Sequence, residues 1–253
     1  MGLENINQYI RSVELKKEKI LSFSKYPFCL PAIKNLHELK LHPKVTFIVG
    51  ENGTGKSTIL EAIAVAYGFN PEGGTKNFNF SSMSTHSDLF DYIKITKGVK
   101  KPRDGFFLRA ESLYNVASNI DELDKEVGGP KVIESYGGRS LHEQSHGESF
   151  LAIFLNRFSG KGVYILDEPE AALSPSRQMT MISRMHELVG KESQFIIATH
   201  SPIIMAYPDS LIYEIKEDIR TVKYEETEHY QIMRMFINNP QKMLDFLMTT
   251  DKG

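Results

Sequence analysis

The stretch Gly50-Glu51-Asn52-Gly53-Thr54-Gly55-Lys56-Ser57-Thr58 has the pattern G-x-x-x-x-G-K-[ST], a phosphate-binding loop. The pattern has a mechanical meaning. Its glycines let the backbone curl until successive N–H groups point at phosphate oxygens, its lysine reaches the outer phosphates, and its hydroxyl is placed to ligate Mg²⁺. The flanks fit. Val45-Thr46-Phe47-Ile48-Val49 is a short apolar, β-rich run, and Thr58-Ile59-Leu60-Glu61-Ala62-Ile63-Ala64-Val65-Ala66-Tyr67 has helical composition and spacing. Strand, glycine loop and helix N-terminus, in that order, aim free N–H groups and the positive end of a helix dipole at an anion. Residues Glu51, Asn52, Gly53, Thr54, Gly55, Lys56, Ser57 and Thr58 are therefore expected to hold a nucleoside triphosphate, with Ser57 on the metal.

A second apolar run, Gly162-Val163-Tyr164-Ile165-Leu166, ends in Asp167-Glu168-Pro169-Glu170. An acid at the C-terminal end of a strand beside a phosphate loop holds Mg²⁺ directly or through water, which makes Asp167 the expected metal ligand. Glu168 follows and is placed to polarise a water for attack on the γ-phosphate, as a general base. A third run, Gln194-Phe195-Ile196-Ile197-Ala198-Thr199, leads into His200-Ser201-Pro202. A histidine in isolation is more often structural. Its place after the acid, with one predicted helix over 176–189 between, makes His200 a sensor of the γ-phosphate. Strand, acid, helix, strand and histidine in this order put both strands in one parallel sheet with right-handed crossovers.

The 253 residues suffice for one α/β domain with an inserted lobe. A net charge of −2 gives no global case for nucleic acid or an anionic membrane. The one cysteine, Cys29, lies in Tyr26-Pro27-Phe28-Cys29-Leu30 and reads as a small buried hydrophobe in a reducing compartment. No apolar run approaches a membrane span and the N-terminus is polar, so a cytoplasmic chain without a membrane partner is expected.

The phosphate loop, Asp167-Glu168, Leu173-Ser174-Pro175 and His200 together resemble the Walker A, Walker B, D-loop and switch histidine of ABC-type ATPases. The resemblance implies ATP as the nucleotide and places a signature loop at Ser145-His146-Gly147-Glu148-Ser149, where transporters usually read Ser-Gly-Gly-Gln. Ser145 keeps the hydroxyl and Gly147 the close backbone approach, whereas His146 and Glu148 depart from the transporter form. Phe150-Leu151-Ala152-Ile153-Phe154-Leu155 reads as the following helix. The stretches 105–112, 136–150 and 224–230 are similar to a small family of bacterial ATPases labelled AAA family. Its fold is that of ABC and SMC-type heads, and its cellular role is poorly defined.

The resemblance implies an α/β fold with a mostly parallel core sheet flanked by helices, an antiparallel β subregion and a helical lobe inserted over about 70–138. The signature region would then cover about 139–160 of a single domain. It also implies that Ser145, His146, Gly147 and Glu148 touch the γ-phosphate held by a second copy, hence an ATP-dependent homodimer. No glutamine occurs between Ser57 and Gln144, so the usual Q-loop glutamine is missing. Glu111, after Phe106-Phe107-Leu108, is either its metal-binding replacement or a surface glutamate. Arg109 either contacts phosphate or pairs with an acid. An aromatic upstream of Walker A stacks on adenine in many ABC ATPases. Of Phe23, Tyr26 and Phe28, the choice here is Tyr26.

Leu21-Ser22-Phe23-Ser24 reads as an edge strand, and Tyr92-Ile93-Lys94-Ile95 as a strand. Helix is predicted over 115–127 with a stop at Gly128-Gly129-Pro130, and Leu211–Ile215 with Thr221–Tyr224 as a hairpin. An amphipathic helix follows over 229–248, broken at Asn239-Pro240. Lys97, Lys100, Lys101 and Arg103 form a basic cluster that reads first as a solvated loop and second as a nucleic-acid contact. No heptad segment for a coiled-coil arm occurs. The expected function is a soluble ATPase coupled to an unknown protein partner or nucleic acid. The alternative is the ATP-binding subunit of a membrane transporter.

Overall fold

Val45–Gly50, Gly162–Asp167 and Gln194–Ala198 are buried at every position, as strands covered on both faces must be. The computed structural model describes residues 8–76, 87–125 and 131–249. Among these the first half of the chain runs β1 (Ile10–Leu15), α1 (Pro31–Lys34), β2 (Glu38–Lys40), β3 (Val45–Gly50), α2 (Lys56–Tyr67), β4 (Ile93–Lys97), β5 (Asp104–Arg109) and α3 (Leu113–Leu123). It continues with α4 (His146–Ala152), extended by the π-helical turn Ile153–Arg157, then β6 (Gly162–Asp167), α5 (Pro175–Gly190), β7 (Gln194–Ala198) and α6 (Pro202–Met205). β8 (Ser210–Ile215), β9 (Ile219–Val222), α7 (Glu228–Asn238) and α8 (Pro240–Thr249) follow.

The six-stranded sheet has the order β5-β6-β7-β3-β8-β9, parallel except for β9, which turns back on β8 as a hairpin. The period-2 alternation of its strands divides the core. Tyr164, Leu166, Phe195, Ile197, Val45, Phe47 and Val49 face α3, α4 and α5, whereas Val163, Ile165, Ile196, Ala198 and Ile48 face α2 and the second sheet. That second sheet is antiparallel, in the order β2-β1-β4. Buried Gln194 joins the two sheets. Its Oε1 accepts from the Tyr9 and Ile10 amides at 3.1 and 2.9 Å, and its Nε2 donates to the Ile10 and His42 carbonyls at 2.8 and 2.9 Å. The α/β class expected above, with a mostly parallel core sheet and an antiparallel β subregion, is the one found.

The stretch 70–138 supplies one strand to each sheet, β4 and β5, besides α3. The predicted stop at 128–130 lies outside the described residues. Two local readings are corrected. Residues 21–24 form turns, not a strand, because the Ser22 hydroxyl bonds the Ser24 amide and hydroxyl locally, and Leu21 is fully exposed. Cys29 is exposed; its neighbour Phe28 takes the buried place, edge-on to Tyr92 at 4.8 Å. β1 and β2, which no reading of the sequence above anticipated, supply two of the three strands of the antiparallel sheet.

Helix ends follow their caps. α2 starts from Gly55, whose φ of 101° is left-handed and available to glycine, and stops at Gly68 at φ 103°. Ser174 caps α5 by accepting from the Arg177 amide, with Pro175 at the first position, and Met181, Met185 and Leu188 recur on its buried face. Thr227 caps α7, whose first amide, that of Glu228, bonds the buried Glu214 carboxylate at 2.9 Å. α7 and α8 contribute no buried residues.

Candidate active site

β7 lies between β6 and β3, so the C-terminal ends of these three strands bring the phosphate loop, Asp167-Glu168 and Thr199-His200 side by side. Ligands of open parallel sheets bind in this crevice. Ser57 Oγ donates to Asp167 Oδ1 at 3.0 Å, and Lys56 Nζ donates to the Glu51 carbonyl at 2.9 Å. His200 Nε2 stands 3.3 Å from Glu168 Oε1. Glu168 has a left-handed backbone, φ 47° and ψ 55°, a sparsely populated region for a residue with a Cβ and one that concentrates at working sites. Its amide is held by the Ala198 carbonyl at 3.0 Å, so β7 fixes the turn that aims it.

The electrostatics are those of a charged site kept partly dry. Burial lowers the Lys56 pKa, against the opposing pull of Glu168, Asp167 and Glu170. Burial raises the Asp167 carboxyl to about 6, although Arg109 and the Ser57 hydroxyl act the other way. Burial also lowers the His200 and His229 pKa values, and Lys56 pushes both further in the same direction. Both rings are therefore biased toward the neutral form. Ser57 and Asp167 present hard oxygen atoms of the kind Mg²⁺ takes, and the buried His200 Nε2 lacks a well-aligned hydrogen-bond partner. These residues fit a magnesium–nucleotide complex.

Three residues that shape this site had no role, or an undecided one, in the sequence reading. His229, on α7, meets His200 with its Nε2 2.9 Å from His200 Nδ1. Glu170 accepts from the Thr199 hydroxyl at 2.8 Å and from the His200 amide, tying the end of β6 to the end of β7. Arg109, at the end of β5, places Nε 3.4 Å from Asp167 Oδ2 and Nη1 2.7 Å from Glu61 Oε2. Of the two readings offered for Arg109, pairing with acids is the one seen. The signal for it was available in principle, since Arg109 and Asp167 close two runs that pair as neighbouring parallel strands. His229 and Glu170 carried no local signal, because a contact across 29 or 30 positions depends on where α7 and β7 come to rest.

Glu111 extends outward, with an 87% exposed side chain whose carboxylate lies 3.8 Å from Arg109. Tyr26 is 65% exposed. Both line a polar cavity of about 340 Å³ with Ser57, Thr58, Glu61 and Arg109. Ser145 caps α4 in a capping box: its hydroxyl and amide bond Glu148 Oε2 at 2.6 and 3.0 Å, and Glu148 reaches Arg177 at 3.5 Å. The hydroxyl bond first, and then the amide bond, hold the Glu148 pKa low. Gly147 is buried against the turn Pro169–Ala172, where a Cβ would come 2.4 Å from the Ala172 carbonyl oxygen. His146 is exposed beside a small cavity with Tyr114 and His142. Among the described residues, no hydrogen bond of 145–148 reaches the loop 50–58.

Residues 3–202 match the family model AAA_23, an AAA domain. The chain belongs to this family. AAA_23 is thus the framework for the phosphate loop, the acid pair and His200, all of which lie within the matched span. Among curated proteins the chain is 27% identical over 183 residues to the ribose import ATP-binding protein RbsA of Jannaschia sp. (strain CCS1), covering 64% of this chain and 33% of that one. It is 23% identical over 172 residues to the ABC transporter G family member STR2 of Medicago truncatula, covering 62% and 24%. The match therefore spans a third or less of either relative. Solved structures share the fold, two of them as follows. One is cbiO1 of Clostridium perfringens, part of the cbiONQ transporter complex, at 20% identity and TM-score 0.50 over 96% of this chain and 99% of that one. The other is an SmcHead bound to the C-winged helix domain of ScpA, at 13% identity and TM-score 0.52 over 86% and 99%. Among the described residues no helix is long and apolar enough to cross a membrane.

Proposed function

We propose that this AAA_23 chain binds Mg-ATP and hydrolyses it in a homodimer whose two copies enclose two nucleotides. The observation that carries the reading is the alignment at the strand ends: Lys56 and Ser57 at the start of α2, after the loop that follows β3, Asp167 and Glu168 at the end of β6, and His200 just past β7. Lys56 neutralises the outer phosphates. Ser57 and Asp167 would hold Mg²⁺, which supplies charge neutralisation across the β- and γ-phosphates. Glu168 accepts the proton of the attacking water, and His200 Nε2 donates to the γ-phosphate while His229 holds its Nδ1 side. Tyr26 and Glu111, which line the polar cavity beside Ser57, would meet the nucleotide from there. Ser145, His146, Gly147 and Glu148 would meet the nucleotide of the second copy, since their bonds within one chain lead away from its own loop.

The test is sedimentation with Mg²⁺ and ATP. Lys56→Ala should lose nucleotide binding at the phosphate loop, because the loop loses the cation that faces the outer phosphates. Glu168→Gln should keep binding, lose about a hundredfold or more in turnover and dimerise with ATP but not ADP. Ser145→Arg should weaken that dimer. A Glu168→Gln protein that stays monomeric at tens of micromolar, or dimerises without regard to nucleotide, overturns the reading. The curated relatives named for sugar import and ABC transport favour a second reading, a transporter's ATP-binding subunit. Co-purification with a membrane protein distinguishes it from coupling to another protein or to nucleic acid.

A further inference from the structure

A second cavity, of about 510 Å³, opens at the N-terminal ends of β5 and β6, the edge of the parallel sheet opposite the phosphate loop. Six cationic side chains line it: Lys76, Lys97, Lys100, Lys101, Arg103 and Arg157. The lining acid, Asp104, is already engaged by Arg157 at 2.9 Å, by the Ser159 amide and hydroxyl at 3.1 and 2.9 Å, and by the Tyr164 hydroxyl at 2.8 Å. Lys100 pairs with Glu192 at 3.3 Å. Among the described residues no carboxylate forms an ion pair with Lys76, Lys97, Lys101 or Arg103.

Two of these ammonium groups share one aromatic ring. Lys76 Nζ lies 3.8 Å and Lys97 Nζ 5.3 Å from the centroid of Tyr67, and Lys76 also donates to the Tyr67 carbonyl at 2.7 Å. Like charges held this close repel, and an anion between them reverses the sign of the interaction. The repulsion registers on Lys76, whose pKa is lowered by burial and then by Lys97. In a chain of net charge −2 such a concentration of positive charge is a local feature with no counterpart in the overall balance.

We propose that this cavity binds a small polyphosphate anion, free or as part of a nucleotide, through Lys76, Lys97, Lys101 and Arg103. Its volume falls within the roughly 300–1,000 Å³ of small-ligand sites. A single nucleic-acid strand fits less well. Strand binding uses open aromatic faces along an extended groove, whereas Tyr9 and Tyr67 are 2% and 5% exposed and the Tyr67 ring lies under the lysines. The proposal does not depend on how the phosphate loop works.

Calorimetry with inorganic tripolyphosphate at near-physiological salt tests it. Lys56→Ala disables the phosphate loop and should still bind one tripolyphosphate per chain. Adding Lys97→Ala and Arg103→Ala, both at exposed positions, should weaken that binding tenfold or more with an unchanged melting temperature. ATP in the same Lys56→Ala background separates the sources: binding as tight as tripolyphosphate means the site accepts a nucleotide, and much weaker binding means inorganic polyphosphate. No binding to Lys56→Ala at millimolar tripolyphosphate overturns the proposal. So does binding that the Lys97→Ala, Arg103→Ala pair leaves unmoved. A single-stranded oligonucleotide that binds more tightly than tripolyphosphate and loses affinity in that pair overturns it in favour of nucleic acid.

Discussion

Replacing Gly147 by alanine places a methyl group 2.4 Å from the Ala172 carbonyl oxygen and 2.7 Å from Nη1 of Arg177. The guanidinium swings away at little cost. The carbonyl belongs to the backbone of the turn Pro169–Ala172 and does not. Ordinary carbon–oxygen contact begins near about 3.3 Å, so the two backbones must separate by roughly 0.9 Å. Forcing extra volume into a packed contact costs about 1–3 kcal/mol. Alanine's better helix propensity offsets at most about 1 kcal/mol, and less in a first turn, so strain wins. A net loss of about 1–2 kcal/mol lowers the melting temperature by roughly 2–8 °C in a chain of this size. The same turn begins at Glu168, and a displacement near 1 Å at reacting groups costs about a hundredfold in rate. Calorimetric melting and Mg-ATP turnover read the two effects. An unchanged or higher melting temperature with wild-type turnover refutes the reasoning. Rescue by Arg177→Ala also refutes it, by locating the clash in a side chain.

Three further outcomes are expected. With its folded pKa raised from 3.8 to about 6, Asp167 favours the protonated fold. Its stabilising contribution is full below about pH 4 and is lost as pH rises through about 6, a change of roughly 3 kcal/mol. The unfolding free energy of Asp167→Asn relative to wild type, from urea titrations without Mg²⁺, should therefore grow between those values and then level; a flat difference counts against it. Arg109→Met strands the carboxylates of Asp167 and Glu61, whose side chains are 6% and 12% exposed, and should cost about 3 kcal/mol in the same titrations. Glu111→Gln, on an 87% exposed side chain, should stay within about 0.5 kcal/mol; equal effects of the two changes would undo the argument. His229→Ala removes the hydrogen bond at His200 Nδ1, worth about 1–3 kcal/mol when buried, and should slow turnover roughly tenfold with ATP affinity unchanged and partial rescue by His229→Gln. Full activity of His229→Ala would show that the pair does no positioning.

Local chemistry was enough to read the strands β3, β6 and β7, because each is an unbroken apolar run that ends in a motif with its own geometry. The phosphate loop, the acids Asp167 and Glu168, the terminal hairpin and the break between α7 and α8 follow from residues adjacent in sequence, as does the α/β class. What lay beyond such reading depends on neighbours distant in the chain. β1 and β2 are strands because they pair with each other and with β4, and 21–24 is not one because its serines satisfy the turn locally. Cys29 is exposed because the adjoining Phe28 fills the buried place. The clamp of Arg109 on Asp167, the tie of Glu170 to Thr199 and His200, and the meeting of His200 with His229 exist only once β5, β6, β7 and α7 converge on one edge of the sheet. Sequence determined which chemistry this chain carries, because a phosphate loop is a local backbone shape. Tertiary structure decided what holds that chemistry in place, because a hydrogen bond across 29 residues is a property of packing.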